Sequence, residues 1–288
     1  MKPGSTVLLV IMLFLSGCAR SPRVPNMPEP APDESRSSAP PSTIPSAWTI
    51  TPVTQQNNYR SIATTVTELV DSARAAGDSI TATVDFGLSI IHGPEDLSYS
   101  ATISELSFQG GSRTGTPSVG DQLPFSYTGR LHQGRLTISV DGTQPGNLIT
   151  DCSNEAFSIA AAVQRTVLAV PSFLRKGMTW SDTTTAILCN GSILTTSITS
   201  RSFRVIGEVS RGILIERQER TTSTGDGAQG QHRLRLQTNG RGNAQLIIDA
   251  QTGTLLESTG VHTASVVVTT SGRNQQFTQT TRERIVIR

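Results

Sequence analysis

Lysine is nearly missing from this 288-residue chain: of 24 basic residues only Lys2 and Lys176 are lysines, so the positive charge is carried by arginine. Charged residues make up 16% of the sequence and the formal net charge is +2. That is well under the roughly 25% of ordinary globular proteins. It excludes a coiled coil, an acidic disordered tail and a nucleic-acid binder that works by bulk charge. Aromatic residues are 5% and cysteines number three. Three is an odd count, which calls for an explanation in an exported protein. No apolar run reaches the ~20 residues that cross a bilayer as a helix. What fills the sequence instead is Ser, Thr, Gln and Gly.

The longest apolar run, Val7–Leu15, sits near the start behind Lys2. It is the right length for the apolar core of a signal peptide, roughly 7–15 residues. It ends in Leu15-Ser16-Gly17-Cys18. This ending resembles the lipobox of bacterial lipoproteins, which signal peptidase II cleaves. The resemblance implies that residues 1–17 are removed and that Cys18 becomes an acylated N-terminus. Two or three acyl chains at about 0.8 kcal/mol per buried CH₂ hold a protein firmly on a membrane. The membrane-lipid partner is thus reached through Cys18. Ala19, where an inner-membrane retention signal would place Asp, points to a bacterial outer-membrane location on the periplasmic or outer face.

Residues 18–55 hold nine of the fifteen prolines and few apolar side chains. Such a stretch cannot offset its chain entropy by burial, so the composition predicts a disordered tether with polyproline-II character. Trp48, Ile50 and Val53 are placed to dock on the edge of the folded domain.

Residues 56–288 read as a single β-rich domain. Apolar residues alternate through Ser79–Ile91, Leu97–Ile103, Leu123–Leu131 and Leu136–Val140. They alternate again through Thr179–Leu188, Ile193–Val209, His232–Leu236, Leu255–Thr270 and Phe277–Ile287. Turn chemistry separates them: Gln133-Gly134, Asp141-Gly142, Asn190-Gly191, Arg211-Gly212, Asn239-Gly240 and Asp249 to Gly253. The slip from Ile103 to Leu106 and Phe108 marks a bulge or a strand end. One helix is expected from Ser153 to Pro171, with Phe157, Ala160, Ala161, Gln164, Val167 and Leu168 on one face. Tyr59–Ala76 fits a helix ending at Gly77, and its Thr64–Thr67 run fits a strand; both readings stand. The expected fold is mainly β: a large, curved, half-barrel-like antiparallel sheet with one or two helices. It resembles the half-barrel lipoprotein carriers and the β-rich envelope lipoproteins that share Gly177-Met178-Thr179-Trp180 and an Asp249/Thr252/Gly253/Leu255 turn. The resemblance to the carriers implies a sheet wrapped on helices around an apolar cavity.

No constellation in the sequence carries catalysis. With Cys18 lipidated, Cys152 and Cys189 remain as a disulfide that closes a loop of about 38 residues, worth roughly 3–4 kcal/mol on the entropic account. His92, His132, His232 and His262 lack metal-ligand spacing, so no metal and no cofactor is expected. No Gly-x-Ser-x-Gly elbow occurs. Gly225-Asp226-Gly227-Ala228-Gln229-Gly230 matches a dinucleotide fingerprint but is followed by an alternating stretch, which predicts a hairpin loop. Glu95, Asp96 and Asp249 are candidate halves of a carboxylate pair, each with a ready role in a turn. Asp141–Asp151 has the flavour of a calcium loop without its ligand pattern. Arg217, Arg220, Arg233, Arg235 and Arg241 read as a solvated face, with an anionic polymer or headgroup as the functional option. The function expected is that of a non-enzymatic, membrane-anchored envelope lipoprotein that binds an apolar or amphipathic ligand or docks an envelope partner. The alternative is a hydrolase of envelope polymers.

Overall fold

The computed structural model describes residues 47–70, 78–92, 96–110, 125–132, 135–140, 154–190, 193–229 and 231–288. The first half of the fold comprises β1 (Ala47–Thr49), β2 (Gln55–Leu69), β3 (Asp78–His92), β4 (Asp96–Gln109), β5 (Phe125–His132) and β6 (Arg135–Val140). Then come α1 (Asn154–Thr166), β7 (Phe173–Arg175), β8 (Thr179–Asn190), β9 (Ile193–Val209), β10 (Gly212–Gln229), β11 (His232–Ile248), β12 (Leu255–Thr270) and β13 (Arg273–Ile287).

The fold is mainly β, built on a large curved antiparallel sheet with one helix among the described residues. The curvature runs on to closure: the order β10-β11-β12-β13-β2-β3-β4-β5-β6-β8-β9 returns to β10. Every pair in the ring is antiparallel except β6 with β8, which run parallel over three residue pairs, Arg135↔Thr183 to Thr137↔Thr185. The reason is topological. α1 and β7 lie between those two strands in sequence, and such a crossover brings the chain back in the same direction. Closure pairs β9–β13, β2 and β3 on both sides, which covers the edges of the longest strands.

Tyr59–Ala76 is resolved as strand through Leu69, with β3 and β13 as neighbours on its two sides. The β-branched Thr64–Thr67 run suits that setting, because χ1-restricted side chains pack well on a pleated surface, and the two neighbouring strands fix it. The slip after Ile103 is a bulge: the β3–β4 register shifts between Asp85 and Phe86, and the Ser104 hydroxyl donates to the Asp85 carbonyl at 3.1 Å. α1 matches the helix expected from the sequence but stops at Thr166, whose hydroxyl bonds back to the Ala162 carbonyl.

Strand alternation separates the inside from the outside. On β11, Leu234, Leu236, Leu246 and Ile248 are buried while Arg233, Arg235, Arg241 and Gln245 are exposed. A barrel that spans a membrane has the reverse pattern, with an apolar outward band. Among the described residues no helix is long and apolar enough to cross a membrane.

One end of the barrel is capped. β1 pairs with β7, placing Trp48 opposite Leu174. Trp48 and Ile50 are buried, and the Ile50 amide donates to the Ser172 carbonyl at 2.8 Å, while Val53 stays exposed. Packing therefore takes in residues ahead of position 56. At this end α1 lies against β3 and β8. Ile159, Val167, Leu174, Ile213, Ile215 and Leu246 are fully buried, each 0% exposed.

Candidate functional site: a charged belt inside the barrel

The hydrogen-bond ladder lines up one inward row across seven strands. Asp182 on β8 faces Arg201 on β9, which faces Glu219 on β10. The row continues through Gly242 on β11 and His262 on β12 to Thr281 on β13 and Thr65 on β2. One step nearer the capped end the row is Trp180, Phe203, Arg217, Ala244, Gly260, Glu283 and Ala63. The two rows form a belt of charge across an otherwise apolar or hydroxyl-lined interior.

The C-terminus of α1 ends in this belt. Arg201 forks onto Asp182, with Nε to Oδ1 at 2.6 Å and Nη2 to Oδ2 at 2.5 Å. The same guanidinium donates to the Gln164 carbonyl at 2.7 Å and the Val167 carbonyl at 3.2 Å, and Arg217 donates to the Arg165 carbonyl at 3.2 Å. These are carbonyls that a helix end leaves without intrahelical partners, at its negative pole. From the helix, Arg165 reaches Glu283 at 3.0 Å and Glu219 at 3.8 Å. Arg217 lies 3.4 Å from Glu219, and the Ser61 hydroxyl donates to Glu283 at 3.1 Å. Three arginines thus meet three carboxylates. The arrangement anchors a helix end; in isolation such buried pairs are weak sources of stability, and their use is to specify one arrangement.

Glycine makes room for the belt. A Cβ on Gly240 would lie 2.5 Å from the His262 ring, and one on Gly242 would lie 2.9 Å from a Glu219 oxygen. His262 stands over the first of these positions with its Nε2 buried and without a hydrogen-bond partner. Trp180 stacks on Phe203 at 4.9 Å, and the Arg201 guanidinium lies 5.5 Å from the same Phe203 ring.

Burial pushes the Glu219 carboxyl up, but Arg165 and Arg217 outweigh it and hold it below the ordinary carboxylate range. The His262 imidazole is pushed down by burial and by the charge of Arg165, with Arg217 acting the same way and Glu219 opposing. A neutral, buried histidine has a pH signature. Below about pH 6.5 the unfolded chain takes up the proton first, so stability falls with pH by as much as ~1.4 kcal/mol per unit until the folded pKa is reached. Urea unfolding at pH 7.5, 6.5 and 5.5 should show that fall, and His262→Gln should flatten it. His92 contributes with the same sign, since burial lowers it too. The depressed carboxylates Glu219, Asp85 and Glu257 act only at lower pH, as they protonate.

The other sequence candidates separate. Asp249 caps its own turn, accepting from the Gln251 and Thr252 amides at 3.0 and 2.7 Å and from the Thr252 hydroxyl at 2.9 Å. Burial raises its carboxyl, the Thr252 and Gln251 bonds lower it further, and the net is downward. The Gly225–Gln229 stretch is strand rather than the expected hairpin loop: β10 stays paired with β11 to Gln229↔His232. No helix N-terminus follows it to hold a phosphate. His232 is exposed and bonds Ser271 at 2.9 Å. The arginine set divides by parity. Arg217 is buried in the belt, a correction to its reading as part of a solvated face, while Arg220, Arg233, Arg235 and Arg241 face outward. Glu95, Cys152 and the Asp141–Asp151 stretch lie outside the described residues, as do the side chains of Cys189, Asp96 and His132. Among the described residues no three His, Cys, Asp or Glu side chains gather as metal ligands.

The belt was legible in the alternation. Arg217 and Glu219 continue the inward parity of Ile213 and Ile215. Arg201 shares it with Phe203 and Val205, and Glu283 with Ile285 and Ile287. An arginine or carboxylate on the apolar parity of a strand is a buried charge that needs a partner across the barrel.

The apolar cleft nearest the helix, lined by Ile50, Tyr59, His92, Leu168, Val170 and Leu255, has a cavity volume of about 20 Å³. That is room for about one water. A larger hollow of about 430 Å³ lies on the outside of β3–β5, lined by Ser89, Ser98, Ser100, Thr128 and Arg130 among others. No protein-family model and no curated protein matches this chain.

Proposed function

We propose that this chain is a lipid-anchored lipoprotein of the bacterial cell envelope, held at the outer membrane through acylated Cys18, whose barrel is a non-enzymatic docking module for an envelope partner. Of the two expected roles, ligand carrier and partner scaffold, the tight packing around the helix end favours the second. The observation that carries it is the set of side chains between α1 and the sheet with no accessible surface. Packing this close leaves no room for an acyl chain among those side chains, which supports recognition on the outer surface. The belt supports the same reading, because it ties the helix end to three strands, β9, β10 and β13, and leaves a rigid platform. Cys152 and Cys189 are proposed as a disulfide; intact mass with and without reduction, after alkylation, tests it.

Two measurements test the proposal. Cys18→Ser should abolish incorporation of labelled palmitate and move the chain from the membrane to the soluble fraction. Unchanged labelling and fractionation would overturn the anchor. Native mass spectrometry of the purified chain should find no stoichiometric lipid beyond the covalent acyl groups. One bound lipid per chain would restore the carrier role.

A further inference from the structure

The outward rows of β9–β13 carry an uneven distribution of charge. Arg220 on β10 lies directly opposite Arg241 on β11, and both are exposed. Like charges facing each other across a ladder are destabilising. Several other surface arginines are matched: Arg211 and Arg284 share Glu257, Arg233 and Arg235 flank Asp226, and Arg60 and Arg288 hold Asp85, while the exposed Arg175, Arg204 and Arg273 stand apart without an ion pair among the described residues. Arg220 and Arg241 have no carboxylate within 4 Å among the described residues, and neither has Arg282 on β13. Arg282 faces Val261, which faces Asn243. That puts it two strands from Arg241 and one pleat along, about 12 Å away by strand spacing and rise.

Around these three the face is free of acid. The outward positions of 196–202, 218–224, 237–243, 261–267 and 276–282 contain three arginines and no Asp or Glu. The remaining positions are mostly amides and hydroxyls, among them Ser200, Gln218, Asn239, Asn243 and Thr263. The strands beneath are long and fully paired, so the donors are fixed on an extended surface.

Resting on the docking reading above, we infer that this face binds an anionic polysaccharide. Guanidinium forks match carboxylate, sulfate or phosphate groups in pairs of hydrogen bonds, and the amide and hydroxyl rows match the sugar hydroxyls. A nucleic acid would want an aromatic platform for its bases, and this face has no outward aromatic residue. A bilayer would want aromatic or aliphatic anchors; the exposed apolar residues here are β-branched and scattered, such as Ile198 and Val261.

The full chain, purified in mild detergent, is assayed for binding to polygalacturonate and to dextran sulfate at about 50 mM salt. The double variant Arg220→Ser/Arg241→Ser should weaken binding about tenfold or more, and Arg282→Ser should weaken it less. Arg233→Ser/Arg235→Ser removes the same charge from the Asp226 cluster and should change it under about twofold. Arg241→Ser alone should leave the melting temperature unchanged or raise it, because the facing like charge is relieved. Failure of the wild-type chain to bind either polymer overturns the inference. So does equal weakening by the two double variants, which would mean bulk charge alone. Tighter binding to anionic phospholipid vesicles or a single-stranded oligonucleotide through the same arginines also overturns it. Palmitate labelling at Cys18 and the lipid mass measurement are independent of all these outcomes, so the two readings fail separately.

Discussion

Asp182→Ala is expected to destabilise the barrel by about 3–5 kcal/mol, the range for removing one partner of a buried ion pair. The loss would appear as a lower urea midpoint with an unchanged slope. The geometry sets the size. Both side chains are almost fully buried, 2% exposed for Arg201 and 1% for Asp182. Removing Asp182 leaves a guanidinium inside the barrel with only the helix carbonyls of Gln164 and Val167. Arg201→Ala should cost as much by the opposite route, leaving a carboxylate and those carbonyls without their donor. The double variant Arg201→Leu/Asp182→Leu should cost much less than the sum of the single changes, because replacing both charges leaves none uncompensated. A double variant as unstable as the sum of the singles would show that the two charges act independently and not as a mutually satisfied pair.

Phe86→Ala should cost a similar amount for a different reason. Phe86 is 1% exposed on β3 and stacks on Tyr59 at 5.7 Å, in a tightly filled part of the core. Truncation forfeits the burial of the ring and leaves a cavity that closed, paired strands cannot collapse to fill. Large aromatic-to-alanine changes in such cores cost about 3–5 kcal/mol. Phe86→Leu should recover most of it. If Phe86→Ala cost under ~1 kcal/mol, the core at the helix end would be looser than its lack of accessible surface indicates.

Local chemistry fixed a large share of this architecture. Alternation and turn residues place most strands near their observed limits, because a strand with one wet face must repeat every two residues. Asn239-Gly240 is the exception, a turn pair that lies inside β11 because both neighbouring strands pair with it and Gly240 leaves room for the His262 ring. The helix is legible in Ala160-Ala161-Ala162 and in the Pro171 stop. The bulge is legible in the slip from Ile103 to Leu106. Tyr59–Leu69 was not decided locally, since its apolar spacing serves either element; hydrogen-bonding neighbours on both sides made it a strand. The docking of Trp48 was expected from the sequence, but the same limit hid its partner strand, β7, more than a hundred residues away.

At the candidate site the division is similar. Parity alone turns Arg201, Arg217, Glu219 and Glu283 inward and Arg220 and Arg241 outward, so the sequence by itself determined which charges are buried and which are wet. Only the tertiary structure decided who meets whom. Closure into a barrel and the register of seven strands put Asp182, Arg201, Glu219 and His262 in one row and aim the end of α1 at it. The same register sets Arg220 against Arg241. Long-range pairing selects the register, and a shift of one residue would turn every one of these side chains to the other face.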